Sequence, residues 1–187
     1  MLEMALLGNR LLVSISSMTH LDIMHGTSDF NYCPNCGVTA VYSGENGQRI
    51  LSCECGYVHY KDPKVAVGVL IRDQDNRILL MKRAHHPRKG FWSYPSGYVD
   101  YGEQVETAAK REVMEEVGVE VKIGELIGVY SEEGSRVILV VYQGAIISGS
   151  PSPGEESEEV AYFSLSELPQ MAFPRDVGII GKWMDEN

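Results

Sequence analysis

The sequence lacks any apolar run long enough to cross a lipid bilayer. A membrane-spanning helix needs about 20 consecutive apolar residues, and no apolar segment of this 187-residue chain reaches that length. The first 17 residues resemble a secretion signal only faintly, because Asn9 and Arg10 interrupt their apolar part and no basic segment precedes it. We therefore expect residues 1–28 to be a flexible leader, and the protein to be cytoplasmic and to have no membrane partner.

Basic residues are also scarce. Lysine and arginine total 16 against 26 aspartates and glutamates, which gives a formal net charge of −10. Proteins that bind nucleic-acid phosphates usually carry the opposite sign, so the charge argues against a nucleic-acid partner. The hydrophobic fraction of 44% is that of an ordinary globular protein. The length suits one domain with a small additional module.

Cysteine occurs only four times, and all four residues lie within one short segment: Cys33, Cys36, Cys53 and Cys55. Without a secretion signal, such clustering favours a metal site over disulfides. A C-x₂-C pair followed by a C-x-C pair predicts a zinc ribbon over residues 29–62, with four thiolates around a structural Zn²⁺. His59 could replace one thiolate, and free or redox-active cysteines are the alternative. The segment has few large apolar residues, so metal-coupled folding is expected.

Residues 63–187 show the patterns of a mixed α/β domain. Apolar runs rich in β-branched residues predict strands, and period-four apolar spacing predicts a helix that ends before Gly118. Residues 148–159 are acidic and rich in turn formers, so we expect a loop there. Ser166 is expected to cap a short helical turn, and Pro174 to begin a C-terminal helix. The predicted strands are 65–72, 77–83, a short one around 91–94, 119–131, 136–147 and 160–163.

The best-defined helix, predicted over residues 103–117, has an apolar stripe and an acidic end. The stripe comprises Val105, Ala109, Val113 and Val117, widened by Ala108 and Met114. At about 100° per residue, Glu112, Glu115 and Glu116 share one face at the C-terminal end, where the helix dipole disfavours anions. A divalent cation would reverse that penalty. The alternative is a solvated acidic helix end.

The spacing around this helix resembles the signature box of Nudix hydrolases, without a mismatch. The matching positions are Gly97, Glu103, Arg111, Glu112, Val113, Glu115, Glu116, Gly118 and Val119. The resemblance covers residues 63–187. It implies a Nudix α/β/α sandwich with a mixed sheet, and hydrolysis of a nucleoside diphosphate linked to another moiety, with catalytic Mg²⁺ or Mn²⁺.

The resemblance also implies roles for individual residues. Glu112 and Glu116 would be metal ligands, and Glu115 a further ligand or the base that activates water. Glu103 would support the metal network, and Arg111 would orient the glutamates. The carbonyl of Ser96 would contact the metal, and one of two downstream glutamates would complete the site: Glu156 or Glu159.

A basic segment before the box is a candidate phosphate site. Arg83, Arg88 and Lys89 form a positive island in an acidic chain, and we expect them to hold substrate phosphates. A solvated loop is the alternative. Gly97 is expected to let the backbone approach the substrate closely.

The cysteine segment together with the junction at residues 55–68 is similar to the zinc ribbon of a subgroup of ADP-ribose and FAD pyrophosphatases. The expected substrate is therefore ADP-ribose or FAD. An NADH or nucleoside triphosphate pyrophosphatase is the alternative within the same chemistry. A non-catalytic nucleotide sensor or a nucleic-acid-binding protein is the alternative from another class. The intact glutamates of the box oppose the sensor, and a homodimer is left open.

Overall fold

The computed structural model describes residues 30–43, 50–60 and 62–185. The leader predicted for residues 1–28 lies outside these ranges. The chain divides into two compact units, Met1–Lys61 and Asp62–Asn187. No helix in the described ranges is long and apolar enough to span a membrane.

The first unit is a small antiparallel sheet with two cysteine-bearing turns. Its strands are β1 (Val41–Ser43), β2 (Ile50–Ser52) and β3 (Val58–His59), in the order β1-β2-β3. Gly37 and Gly56 follow the cysteine pairs with positive φ, and backbone bonds close both turns. Among the described residues of this unit, the buried apolar ones are Leu51 and Cys33. This core is small, as the composition predicted.

The second unit contains seven strands and two helices. The strands are β4 (Lys64–Ile71), β5 (Ile78–Arg83), β6 (Trp92–Ser93), β7 (Ser96–Tyr98), β8 (Glu120–Tyr130), β9 (Val137–Ser148) and β10 (Ser157–Phe163). The helices are α1 (Val105–Val117) and α2 (Pro174–Asp185), with a 3-10 turn at Leu165–Glu167. One sheet has the order β7-β4-β9-β8, in which β4 and β9 are parallel. The other is antiparallel, in the order β10-β5-β6.

The two helices cover opposite faces of the central strands. Alternate residues of a strand point to opposite faces, and β4 divides accordingly, with Val67 and Val69 in the cluster that includes α1 and Leu70 in the cluster that includes α2. Because both faces are buried, β4 and β5 consist of continuous apolar runs rather than alternating ones. This is the α/β/α sandwich with a mixed sheet that the sequence predicted.

Several local predictions need correction. Ser96–Tyr98 is a strand paired with β4 and is absent from the predicted strands. The last strand begins at Ser157, so the loop predicted for residues 148–159 is too long. Ser164, not Ser166, precedes the 3-10 turn. Met114 is exposed because it lies on the far side of α1 from Glu112 and Glu116. These two acids, and not Met114, are buried beside the apolar stripe.

Candidate active site

The C-terminal end of helix α1 presents three carboxylates with very different exposure. Glu112 and Glu116 are 8% and 1% exposed, whereas the side chain of Glu115 is 53% exposed. Charged carboxylates are seldom buried without a partner. Two buried glutamates at one helix end therefore do not fit a solvated acidic surface.

Arg111 joins the carboxylates of the box into one network. Its Nε and Nη2 donate to the two carboxylate oxygens of Glu103, at 3.0 and 2.9 Å. Its Nη1 donates to Glu112 at 2.8 Å and to Glu115 at 3.1 Å. Nη2 also donates to the carbonyl of Tyr98 at 3.0 Å. The planar guanidinium thus fixes helix α1 against β7 and sets the position of three acids at once.

Glu116 is the most deeply buried acid of the site. The backbone N–H of Ser96 donates to its Oε2 at 2.7 Å. Burial raises the pKa of Glu116 to about 8; the Ser96 N–H opposes the shift, and the charge of Glu112 adds to it. Burial also raises the pKa of Glu112, against the effect of Arg111. In the metal-free site, burial therefore disfavours the charged form of both acids.

The segment before β10 satisfies the C-terminal carbonyls of α1. Ser152 N–H donates to Val117 O at 3.0 Å, and Gly154 N–H donates to Glu116 O at 3.1 Å. The hydroxyl of Ser157 also donates to Glu116 O, at 2.6 Å. These donors offset the negative end of the helix dipole. They also fix the part of the chain that carries Glu156.

The two downstream glutamates differ in position. The charge of Glu156 raises the pKa of both Glu116 and Glu112, although it is a smaller cause than burial, so Glu156 lies beside the buried acids. Glu159 instead forms a surface ion pair with Lys82, at 3.9 Å. Between the two predicted alternatives, the geometry favours Glu156.

Ser96 and Gly97 lie on β7, against the end of the acidic helix. Ser96 contacts the site through its N–H, while the predicted role of its carbonyl stays a prediction. A Cβ atom on Gly97 would fall onto the carboxylate of Glu112. Close approach of a side chain thus accounts for this glycine, whereas its predicted contact with substrate stays a prediction.

The predicted phosphate-binding residues are spread apart. Arg83 lies near the site, since its charge lowers the pKa of Glu116 against the dominant effect of burial, and its Nε donates to Pro87 O at 3.1 Å. Arg88 lies over the ring of Phe91, 5.9 Å from its centroid. Lys89 pairs with Glu158 at 3.5 Å. Of these cations, Arg83 is best placed to meet a substrate at the carboxylates.

A cavity of about 190 Å³ is connected to the box through Ser96, which lies in its wall and donates to Glu116. Ser96, Arg83 and Tyr98 form one part of its wall. The remainder includes residues from the start of α2 that the sequence analysis did not single out: Phe173, Arg175 and Asp176. Their segment, Phe-Pro-Arg-Asp, resembles an ordinary helix start, so no local signal distinguishes them.

The four cysteines of the first unit converge. Their sulfur atoms all lie within 4.8 Å of one another, with 3.5 Å between Cys36 and Cys53 and 3.7 Å between Cys33 and Cys55. These distances exceed a disulfide bond, and all four residues are free thiols. A backbone hydrogen bond from Tyr57 and one from the Asn35 side chain lower the pKa of Cys55 to about 6. The cluster could hold a metal ion.

His59 is separate from the cysteine cluster. Its ring meets that of Phe30 edge-on, with 4.9 Å between centroids. The candidate ligand set among the described residues comprises the four cysteines, including Cys53.

Comparison with known proteins agrees with this geometry. The NUDIX domain matches residues 62–183. An ADP-ribose pyrophosphatase of Methanocaldococcus jannaschii is 40% identical over 124 residues, covering 64% of this chain and 73% of the relative. A NAD-capped RNA hydrolase NudC of Pseudomonas aeruginosa is 33% identical over 150 residues, covering 78% of this chain but only 52% of the relative.

Solved structures give the same result. A NUDIX hydrolase from Nitrosomonas europaea superposes with a TM-score of 0.75 at 31% identity, covering 84% of this chain and 92% of that one. A MutT NUDIX hydrolase from Burkholderia pseudomallei has a TM-score of 0.58 at 33% identity, covering 65% of this chain and 98% of that one. Because the domain match covers more than half of the sequence and coincides with the carboxylate site, the chain belongs to the Nudix hydrolase family.

Proposed function

We propose that the protein hydrolyses the diphosphate bond of ADP-ribose, giving AMP and ribose 5-phosphate. One observation carries the chemistry: Arg111 fixes Glu103, Glu112 and Glu115 near the buried Glu116. The partner of Glu116, Ser96, lines the same cavity as Arg83. The substrate rests on similarity to the archaeal ADP-ribose pyrophosphatase. FAD, which would give AMP and FMN, has the same linkage and is a further candidate.

The carboxylates fit a hard divalent cation. Glu112, Glu116 and Glu156 offer oxygen donors in a partly buried site, and Mg²⁺ or Mn²⁺ takes such ligands together with water and phosphate oxygens. The burial of Glu112 and Glu116 supports the fit, because an added cation would stabilise their charged forms. When bound, the cation would polarise the attacked phosphate and lower the pKa of a water molecule.

The remaining roles belong to the side chains of the chain itself. Glu115, the most exposed acid of the box, would accept the proton of the attacking water or provide a further ligand. Arg83 would neutralise charge on the diphosphate. Arg111 would keep the carboxylates of Glu112 and Glu115 in position. Glu103 would in turn orient Arg111 by accepting hydrogen bonds from its guanidinium. Arg88 and Lys89 would contact phosphate only after leaving their present partners.

NAD-type dinucleotides are a second candidate class. The match to NudC covers 78% of this chain. Residues 62–187 make up only about two thirds of the chain, so the similarity extends into the residues before Asp62. The curated relative acts on NAD-capped RNA by its name, but a net charge of −10 opposes binding of a long nucleic acid. A free dinucleotide is the better fit.

A substrate panel tests the proposed reaction. With Mg²⁺ present, we expect ADP-ribose to be hydrolysed with a kcat/KM at least about tenfold above that for nucleoside triphosphates. ADP-ribose has a sugar on both sides of its diphosphate that the protein can bind, whereas a triphosphate has one on a single side. FAD, NADH and a NAD-capped oligonucleotide complete the panel, and chromatography identifies the products. Faster cleavage of nucleoside triphosphates would overturn the assignment.

We propose that the cysteine cluster binds one structural Zn²⁺. Four sulfurs placed 2.3 Å from a tetrahedral ion lie about 3.8 Å apart, close to the observed 3.5 and 3.7 Å. The ion would supply the stability that the small core of this unit lacks. Thiols that serve as ligands suit a reducing compartment, and this supports a cytoplasmic location.

Metal analysis of the purified protein tests the zinc site. We expect one zinc per chain, retained through dialysis and lost together with the sheet of strands β1, β2 and β3 when a strong chelator is added. Cys36→Ser should lower zinc content and solubility more than kcat. Zinc-free protein whose four thiols titrate freely in the native state would rule the site out.

A further inference from the structure

One buried acid has no part in the reaction proposed above. Asp176 is 2% exposed, lies in the first turn of α2 and forms part of the wall of the 190 Å³ cavity. The hydroxyl of Tyr94 donates to its Oδ1 at 3.1 Å. A carboxylate can accept about four hydrogen bonds, and in the described part of the chain Tyr94 is its only side-chain donor. Burying the Asp176 carboxylate with so few hydrogen-bond donors costs free energy.

The neighbouring guanidinium is also incompletely bonded. Arg175 Nε is buried, and the described residues offer it no hydrogen-bond acceptor. It lies 3.8 Å from Asp176 Oδ1, too far for a hydrogen bond, and Nη1 lies 3.9 Å from Glu132. Within the described ranges, Arg175 Nε is therefore a buried donor without a hydrogen-bond partner, and it stands beside a buried carboxylate that has a single side-chain donor. Unsatisfied donors of this kind are rare in folded proteins and call for an explanation.

The aromatic residues of the cavity wall have other contacts already. The guanidinium groups of Arg83 and Arg175 lie over the ring of Phe173, at 6.0 and 5.8 Å. The ammonium of Lys64 lies over the ring of Tyr98 at 5.2 Å. Tyr94 is buried and packs closely against Gly68. A stacked nucleobase would need one of these ring faces, so the cavity is poorly suited to a base.

A sugar hydroxyl matches the two polar groups. It can donate to a carboxylate and accept from a guanidinium at the same time, and a pair of adjacent hydroxyls can satisfy both groups fully. The volume of about 190 Å³ is below the range of about 300–1,000 Å³ typical of pockets that enclose a whole small molecule. The cavity therefore suits one sugar of a larger ligand.

The cavity is placed to receive a sugar attached to the reacting diphosphate. Ser96 lies in its wall and donates to Glu116. Arg83 also lies in the wall, and its charge acts on both Glu116 and Asp176. We propose that Asp176 and Arg175 bind the hydroxyls of a substrate ribose and so determine specificity for ribosyl nucleotides. The inference rests on the proposed function and adds a residue pair to it.

Kinetics with deoxy analogues tests the assignment. Two analogues are compared, each lacking the 2-hydroxyl of one of the two riboses. The wild-type protein should prefer ADP-ribose over one of them by about 10- to 100-fold in kcat/KM, the range for a lost hydrogen bond to a charged group. Asp176→Asn keeps the volume and the acceptor for Tyr94 but replaces the second oxygen with an amide N–H. We expect it to raise KM for ADP-ribose and to abolish the preference.

Two further variants complete the design. Arg175→Lys keeps the charge but removes the Nε donor, so it should also reduce the preference, independently of Asp176→Asn. Asp75→Asn removes an exposed carboxylate, 76% exposed in its side chain, from the turn between β4 and β5 and should leave the preference unchanged. Thermal melts show whether each variant is folded.

The outcomes separate the alternatives. Equal losses on ADP-ribose and both analogues, with the preference intact, would assign Asp176 a purely structural role and overturn the proposal. A changed preference between adenine and guanine substrates, with ribose preference intact, would overturn it in favour of base recognition. If ADP-ribose is not a substrate but ATP is, the proposed function fails, and the comparison of ATP with dATP then tests the ribose contact by itself.

Discussion

Replacing Glu116 with glutamine should lower turnover at saturating Mg²⁺ by about 100-fold or more, equivalent to several kcal/mol of lost transition-state stabilisation. Glutamine keeps the shape of the side chain and one oxygen that can accept from Ser96 N–H. It loses the charge that would bind the cation. Steady-state kinetics with a titration of Mg²⁺ measures the effect.

The same variant should be at least as stable as the wild type without metal. Burial raises the pKa of Glu116 to about 8, well above the usual 4.3 of a glutamate. The folded metal-free protein therefore holds this proton more tightly than the unfolded chain, and its stability falls as pH rises from about 4.3 to about 8. Because glutamine resembles the protonated acid, the advantage of Glu116→Gln should grow over that pH range.

Glu106→Gln is the matched control for this pair of measurements. Glu106 lies on the first turn of α1 and accepts from the hydroxyl of Tyr142 at 3.1 Å, away from the acidic end. We expect nearly unchanged turnover. Near-wild-type turnover of Glu116→Gln itself would remove Glu116 from the site and contradict its role as a metal ligand.

Gly97→Ala should reduce kcat by about 100-fold, since catalytic groups displaced by about 1 Å can lose that much. The new Cβ would occupy the position of the Glu112 carboxylate. Glu112 would then move away, leave Arg111 Nη1 and lose its place beside Glu116. The chain would remain folded, because the displaced group is the end of a flexible side chain.

Gly178→Ala is the corresponding control. Gly178 lies within α2, and a Cβ there would meet no heavy atom within 4 Å. In a helix interior, alanine is favoured over glycine by about 1 kcal/mol, so melting temperature should rise while kcat stays the same. Unchanged kcat in Gly97→Ala would show that catalysis does not require the Glu112 carboxylate at its observed position.

Sequence patterns predicted the parts of the molecule that depend on local spacing. The strands of the central sheet and helix α1 followed from apolar runs and period-four spacing, and the box placed the acids on one helix end. Local spacing could not predict β7, because Ser96-Gly97-Tyr98 has little strand propensity and is a strand only through its pairing with β4. Met114 was predicted to widen the apolar stripe of α1. The buried face of the helix instead includes Glu112 and Glu116.

Tertiary contacts explain the residues that the sequence analysis missed. Asp176 looks like an acid at a helix start, where the dipole favours it. Its burial depends on Tyr94, 82 positions earlier in the chain. The preference for Glu156 over Glu159 likewise depends on how the segment before β10 packs against α1. No spacing rule within the sequence could separate these two glutamates.

That segment also limits how this chain can change over evolutionary time. Residues 152–157 provide the donors to the last carbonyls of α1, and a side chain at Gly154 would collide with the carbonyl of Glu115. An insertion or deletion there would move Glu156 relative to Glu112 and Glu116. The segment must therefore keep its length and its glycine at position 154, and a graft from another protein would need the same number of residues.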